Sequence, residues 1–205
     1  MYELFNYITA PLKVMYDKVW DYLYLNNSDM EEILGKTPRH YERIGTAEQC
    51  KHFFSEPTHI IDNIYLGSAY NAASYYKLKE LDIGLIINVT NEISEYYPND
   101  FSYKKYNLYD NNKDTIKYYL EDSYNYINEY NKNNENENKN IFIHCFMGAS
   151  RSASIVIYYL IKKNEEKNNQ FTLLDAINFI KQKRQVINPT KKLLFDINCE
   201  SKKII

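Results

Sequence analysis

The amino-acid sequence predicts an α/β protein: a central, mixed but mostly parallel sheet flanked by helices, preceded by a helical N-terminal extension. Short apolar runs carry the first part of that reading. Ile60-Ile61, Ile64-Tyr65-Leu66-Gly67, Leu85-Ile86-Ile87-Asn88-Val89 and Ile141-Phe142-Ile143 have the length and near-continuous apolarity of strands covered on both faces. Between and after them lie longer stretches with apolar residues at three- and four-residue steps, the period of helices. Strands that alternate with helices imply a sheet that is at least partly parallel.

Residues 1–57 form the expected extension, and the main domain is expected over 58–205. Phe5, Ile8, Leu12, Met15, Val19 and Leu23 recur as on one helix face, with a break or new start at Pro11. Glu3, Asp17 and Asp21 argue against a membrane-surface helix, whose polar face is usually basic. Packing on the domain itself, a dimer contact or a cover over the active site remain as roles.

After the strands at 60–61 and 64–67, residues 69–80 read as one helix with Ala72, Ala73, Tyr76 and Leu78 as its buried candidates. Gly84 precedes the strand at 85–89, and Tyr103 to Leu108 is a further strand candidate. Asp114 or Thr115 is expected to cap a helix carrying Ile116, Tyr119, Leu120, Tyr124 and Ile127. Asn131 to Asn140 (NKNNENENKN) is too polar to bury apolar area and reads as a surface loop. Beyond Ile143, helices are expected from Arg151 to Lys163, from Thr172 to Lys183 and after Pro189.

Composition limits the function classes. The chain of 205 residues fits one domain with an extension, and 44% hydrophobic content allows a real core. A net charge of −2 argues against nucleic-acid partners. Three cysteines, Cys50, Cys145 and Cys199, are too few and odd for a disulfide-stapled secreted domain. No run approaches the roughly 18 apolar residues of a membrane span, and no basic stretch leads into an apolar one at the start. An intracellular, cytoplasmic protein follows as the expectation, with the nucleus open. The 22 tyrosines read as compositional bias.

The chemistry concentrates in His144-Cys145-Phe146-Met147-Gly148-Ala149-Ser150-Arg151-Ser152, between a buried strand and the apolar helix Ile155-Val156-Ile157-Tyr158-Tyr159-Leu160. A loop entering a helix N-terminus points several N–H groups at one spot, where the macrodipole adds positive potential. Gly148 permits backbone that side chains resist, and Arg151 can hold two phosphate oxygens in its planar fork. Amides and a cation around a sulfur favour the thiolate, the form in which a cysteine attacks. Ser152 can donate to that sulfur, and His144 orders the loop.

This segment resembles the phosphate-binding loop of cysteine phosphatases: His-Cys, five residues, then Arg and Ser or Thr. Ile64-Tyr65-Leu66-Gly67-Ser68, Leu81 to Thr90 with its Asn88-Val89, and Ser150-Arg151-Ser152-Ala153-Ser154 resemble the dual-specificity branch over about residues 58–198. The resemblance implies the cysteine-phosphatase fold, no cofactor, and phosphorylated proteins as substrates, with phosphotyrosine, phosphoserine and phosphothreonine all accepted. It assigns Cys145 as nucleophile, Arg151 as phosphate ligand, Ser152 as support for the sulfur, and residues 146–151 as the substrate cradle. His144 and Asn88 become loop-ordering residues. Asn107 to Ile116 resembles the general-acid loop, with Asp110 at the acid's position and Asp114 better suited to capping a helix.

Phe146, Met147, Ala149 and Ser150 include no basic residue, whereas phosphoinositide phosphatases tend to place lysines there. Ser152-Ala153 replaces the Thr-Gly usual in RNA triphosphatases of the superfamily. A lipid or RNA phosphatase and a phosphoprotein-binding pseudophosphatase are therefore the lesser alternatives. Pro189 is followed by Thr190-Lys191-Lys192-Leu193 instead of the family's Asn and Gly-Phe, so the last helix is open to different packing. Arg184 is either a solvated charge or a contact for a second anion. A lone Cys50 near His40, His52 and His59 lacks the paired cysteines of structural zinc sites, so no metal is expected. A disulfide from Cys50 or Cys199 to Cys145 is a redox option.

Overall fold

The computed structural model describes residues 51–110, 114–134, 137 and 139–201. The chain divides into two compact units, Met1–His52 and Phe53–Ile205. The helical pattern from Phe5 to Leu23, the dimer and covering roles of that segment, and Cys50 lie outside the described residues.

Five strands form one sheet in the order β1-β2-β5-β3-β4. They are β1 (Thr58–Ile61), β2 (Ile64–Gly67), β3 (Ile83–Asn88), β4 (Ser102–Lys105) and β5 (Asn140–His144). β1 pairs antiparallel with β2, and the other three pairings are parallel. Burial on both faces explains why β2, β3 and β5 are largely apolar, whereas the edge strand β4, Ser102-Tyr103-Lys104-Lys105, is not. Leu85, Ile87, Ile141 and Ile143 enter the larger core, while Ile83, Ile86 and Phe142 enter a second core with Leu78 and Phe101 on the opposite face.

Among the described residues from β1 onward the helices are α1 (Ala69–Ala72), α2 (Tyr75–Glu80), α3 (Lys117–Asn133), α4 (Arg151–Glu165), α5 (Leu173–Lys183) and α6 (Lys191–Ser201). The single helix expected over 69–80 is two. Ser68 starts α1 with a reciprocal cap to Asn71, and at Ser74 the side chain turns back to the Tyr70 carbonyl (2.9 Å). Side chains that bond backbone this way compete with the helical ladder. Tyr76, expected to be buried, is 87% exposed. β4 stops at Lys105, short of the expected Leu108: Tyr106 N still donates across to Asn88 O, but Leu108 N turns back to Tyr106 O and bends the chain out of the sheet. The polar tract is partly helical: α3 continues through Asn133 before the chain leaves it.

α4 runs through the larger core, with every residue from Arg151 to Ile161 buried. This explains the unbroken apolar run that follows the loop. The core also reaches further upstream than Thr58. Phe53 is 1% exposed, and its ring lies 5.5 Å from that of Phe146. The Phe53 and Ser55 carbonyls accept from Ser68 Oγ and Asn71 Nδ2, each at 2.7 Å. The packed unit therefore includes the residues just before β1. Among the described residues, no helix is long and apolar enough to cross a membrane.

Candidate active site

The loop from Cys145 to Ser150 joins the C-terminal end of β5 to the N-terminus of α4. Open parallel sheets bind ligands at that end of their strands. What shapes the loop is the fate of its carbonyls. Phe146 O accepts from Ala69 N at 2.9 Å, and Ala149 O from Asn188 N at 2.8 Å. Met147 O accepts from Arg184 Nη2 at 3.1 Å, and Gly148 O from Arg184 Nε at 2.9 Å. Four successive carbonyls are thus held from outside the loop. Among the described residues no peptide bond is cis, and in a trans peptide the N–H points opposite to the C=O. The N–H groups of residues 147–150 accordingly turn inward as an anion nest.

Gly148 makes the turn possible at φ 67°. A Cβ there would meet Gly67 O at 2.3 Å, so both the conformation and the space demand glycine. Arg184 corrects two expectations at once. It is 2% exposed, so it is neither a solvated charge nor in reach of a second anion on a substrate. Its third contact, Nη1 to Thr58 Oγ1 at 3.3 Å, ties β1 to the underside of the loop. Burial pulls its guanidinium down to about 10, against the opposing pull of Cys145.

The Cys145 sulfur, 1% exposed, accepts from Ser152 Oγ at 3.2 Å. Arg151 is 3% exposed, and its Nη1 donates to Leu108 O at 3.0 Å. A further partner is Glu92, missed by sequence reading, with Nη2–Oε1 at 2.7 Å and Nη1–Oε2 at 2.9 Å. Burial works against the Arg151 charge, but Cys145, Glu92 and Asp110 outweigh it and hold the guanidinium above its ordinary value. Burial likewise pushes the Glu92 carboxyl up, yet the bond and charge of Arg151 leave it below the usual range.

Asp110 comes to the same place. Its Oδ1 accepts from Ser150 Oγ at 3.0 Å, and its Oδ2 lies 3.6 Å from Arg151 Nε. Asp114 does not cap the next helix; its Oδ2 accepts from Tyr109 N at 3.2 Å, within the Asp110 loop. His144 is 1% exposed, stacks on Phe142 at 5.6 Å, and donates from Nδ1 to Cys145 O at 3.2 Å. Burial lowers it to about 4, so near neutrality it is an uncharged prop.

Asn88 orders a neighbouring loop, not the loop from Cys145 to Ser150 itself. Its Oδ1 accepts from Thr90 Oγ1 at 2.7 Å, and its Nδ2 donates to Ile93 O at 2.9 Å. Ile93 N completes the turn on Thr90 Oγ1 at 3.1 Å. That turn presents Glu92 to Arg151. The signal in the sequence was an acidic residue just past the end of a buried strand, at the sheet edge where the cradle forms.

Comparisons with known proteins agree with this geometry. The family model described as the catalytic domain of dual specificity phosphatases matches residues 64–202. The chain is 33% identical over 167 residues to protein phosphatase Slingshot of Drosophila melanogaster, covering 80% of this chain and 15% of that protein. It is 33% identical over 133 residues to human dual specificity protein phosphatase 1, covering 65% of this chain and 34% of that protein. The chain thus spans about a third or less of the curated relatives it matches here. The crystal structure of human DUSP28 superposes with a TM-score of 0.63 at 17% identity, over 72% of this chain and 96% of that one.

Proposed function

The chain belongs to the dual-specificity phosphatase catalytic-domain family, and from that premise we propose that it hydrolyses phosphotyrosine, phosphoserine and phosphothreonine in proteins through a phosphocysteine intermediate. One observation carries the reading: four loop carbonyls are held outward around Cys145, with Arg151 at the rim of the resulting nest. Nothing but an anion suits inward N–H groups joined by a guanidinium.

In the first step the Cys145 sulfur attacks phosphorus, and the bond from phosphorus to the substrate oxygen breaks. Asp110 passes its proton to that oxygen, a contribution of about 10²–10⁴-fold in general acid catalysis. Water then attacks the phosphocysteine, Asp110 takes its proton, and phosphate leaves while sulfur departs as thiolate. Ser152, donating to Sγ at 3.2 Å, supports that departure. Arg151 and the inward amides stabilise the equatorial oxygens throughout, so the scheme draws its positive charge from the chain itself.

The uncharged loop residues Phe146, Met147, Ala149 and Ser150 favour phosphoproteins over polyphosphorylated lipid headgroups. A nucleophilic thiol suits the reducing cytoplasm or nucleus. Release of phosphate from a matched panel tests the reading: phosphotyrosine, phosphothreonine and phosphoserine peptides, phosphoinositide vesicles and triphosphate-ended RNA. Turnover of the phosphotyrosine peptide and of at least one of the other two peptides is expected, far above the lipids and RNA. Preference for lipid or RNA would overturn the substrate assignment, and peptide binding without release would make the chain a phosphoprotein-binding module.

A further inference from the structure

The loop that carries Asp110 has a second anchor, supplied by the last helix. Asp196 of α6 is 0% exposed. Its Oδ2 accepts from Thr115 Oγ1 at 2.8 Å and from Ile116 N at 3.1 Å, across 80 residues of chain. Lys192 Nζ reaches both carboxylate oxygens, at 2.6 and 2.8 Å, and Lys117 Nζ lies 3.9 Å from Oδ1. A buried carboxylate is costly unless paired and hydrogen-bonded, and this one is both. It also takes an N–H at the start of the 17-residue helix α3, where the helix dipole favours negative charge. Ile116, at the N-cap position, makes no side-chain bond of its own, and Thr115 Oγ1 accepts from Lys117 N only at 3.4 Å.

The chain is therefore attached separately at Asp110 and at the start of α3, with Asp114 bonded back to Tyr109 N between them. At one end Asp110 meets Ser150 and Arg151. At the other, Thr115 and Ile116 are fixed to α6. We propose that Asp196 is a positioning residue for the general acid: by holding Thr115 and Ile116 it sets where the loop re-enters the fold, and so keeps Asp110 over the cradle. This rests on the assignment of Asp110 as the acid in the proposed function.

Kinetics on two substrates separate positioning from mere stability. Para-nitrophenyl phosphate has a leaving group that departs easily, whereas phenyl phosphate needs the proton. In the full chain, Asp196→Ala should lower kcat about tenfold on phenyl phosphate and less than about threefold on the nitrophenyl ester. Inhibition by inorganic phosphate, which reads the cradle alone, should stay unchanged. In an Asp110→Asn background the same substitution should cost no more than about twofold, because residues acting through one group are not additive. Asp196→Asn, which keeps an acceptor oxygen, should recover much of the loss. Equal losses on both esters, or the same loss with and without Asp110, would overturn the proposal. An Asp110→Asn enzyme undiminished on phenyl phosphate would instead overturn the acid assignment. Should Asp196→Ala fail to fold, Thr115→Val severs its bond to Asp196 from the loop side, along with the longer one from Lys117 N. A loss of about threefold confined to phenyl phosphate is then expected, and no loss there would sink the idea.

Discussion

Glu92 holds Arg151 by two contacts, at 2.7 and 2.9 Å, in a site where the arginine is almost wholly buried. A guanidinium has few ways to present two donors to a phosphate, and this carboxylate fixes one plane for it. Glu92→Ala should lower kcat/KM about tenfold on any aryl phosphate, the value of roughly one charge-assisted bond. Glu92→Gln, keeping one acceptor, should fall between it and the wild type. Steady-state kinetics of the three proteins decide it, and full activity in the alanine variant would show that Arg151 needs no such partner.

Arg184 makes a different kind of prediction, since among the described residues it hydrogen-bonds to loop carbonyls and Thr58. Arg184→Met leaves the carbonyls of Met147 and Gly148 buried without donors, at about 1–3 kcal/mol each. Urea denaturation should show a loss on the order of 3 kcal/mol, with weakened inhibition by phosphate as the amides lose their orientation. Arg184→Lys should rescue little, because one ammonium cannot reproduce two donors in a fixed plane. Unchanged phosphate inhibition in a folded variant would contradict the role given to those carbonyls.

Ser152 donates to Sγ at 3.2 Å, which in the proposed mechanism assigns it to the second half of the reaction. Ser152→Ala should slow dephosphorylation of Cys145 more than its formation. Stopped-flow traces with para-nitrophenyl phosphate should then show a burst of nitrophenol followed by a steady rate about 10–100-fold below wild type, the loss of 1.4–2.7 kcal/mol from that barrier. A proportional fall in both phases would remove the leaving-group role.

His144 links the site to stability. Buried, it titrates at about 4 instead of 6.5. Between those values the unfolded chain binds a proton that the folded chain refuses. Its contribution is therefore complete above pH 6.5 and is lost as pH falls toward 4, by on the order of 3 kcal/mol in all. Urea midpoints should decline from pH 6.5 to 5.5 in the wild type and hold steady over that interval in His144→Gln. A flat wild-type profile would contradict it.

The segment from His144 to Ser152 was legible because all its chemistry is consecutive in the chain, between a strand and a helix that announce themselves by apolarity. The sheet was legible for the same reason, since strands such as Leu85-Ile86-Ile87 are buried on both faces. Partners contributed by tertiary packing were not. Arg184 belongs to a run of charges on paper, and only the fold turns it under the loop. Asp196 takes the Ile116 N–H at the start of a helix 80 residues earlier, beside the local candidate Thr115, which accepts from Lys117 N at 3.4 Å, while Asp114 turns to Tyr109 N. Phe53 precedes the first strand and reads as part of the extension until its contact with Phe146 is seen. The break at Ser74 depends on a side chain outcompeting the helical ladder, a choice between near-equal local conformations.

Hydrolysis of para-nitrophenyl phosphate with EDTA present, comparing the wild type with Cys145→Ser, tests the central claim most directly. The account predicts turnover in the wild type that persists with the chelator and is abolished by the substitution, while inorganic phosphate still binds the variant. Appreciable turnover by folded Cys145→Ser would contradict the phosphocysteine route.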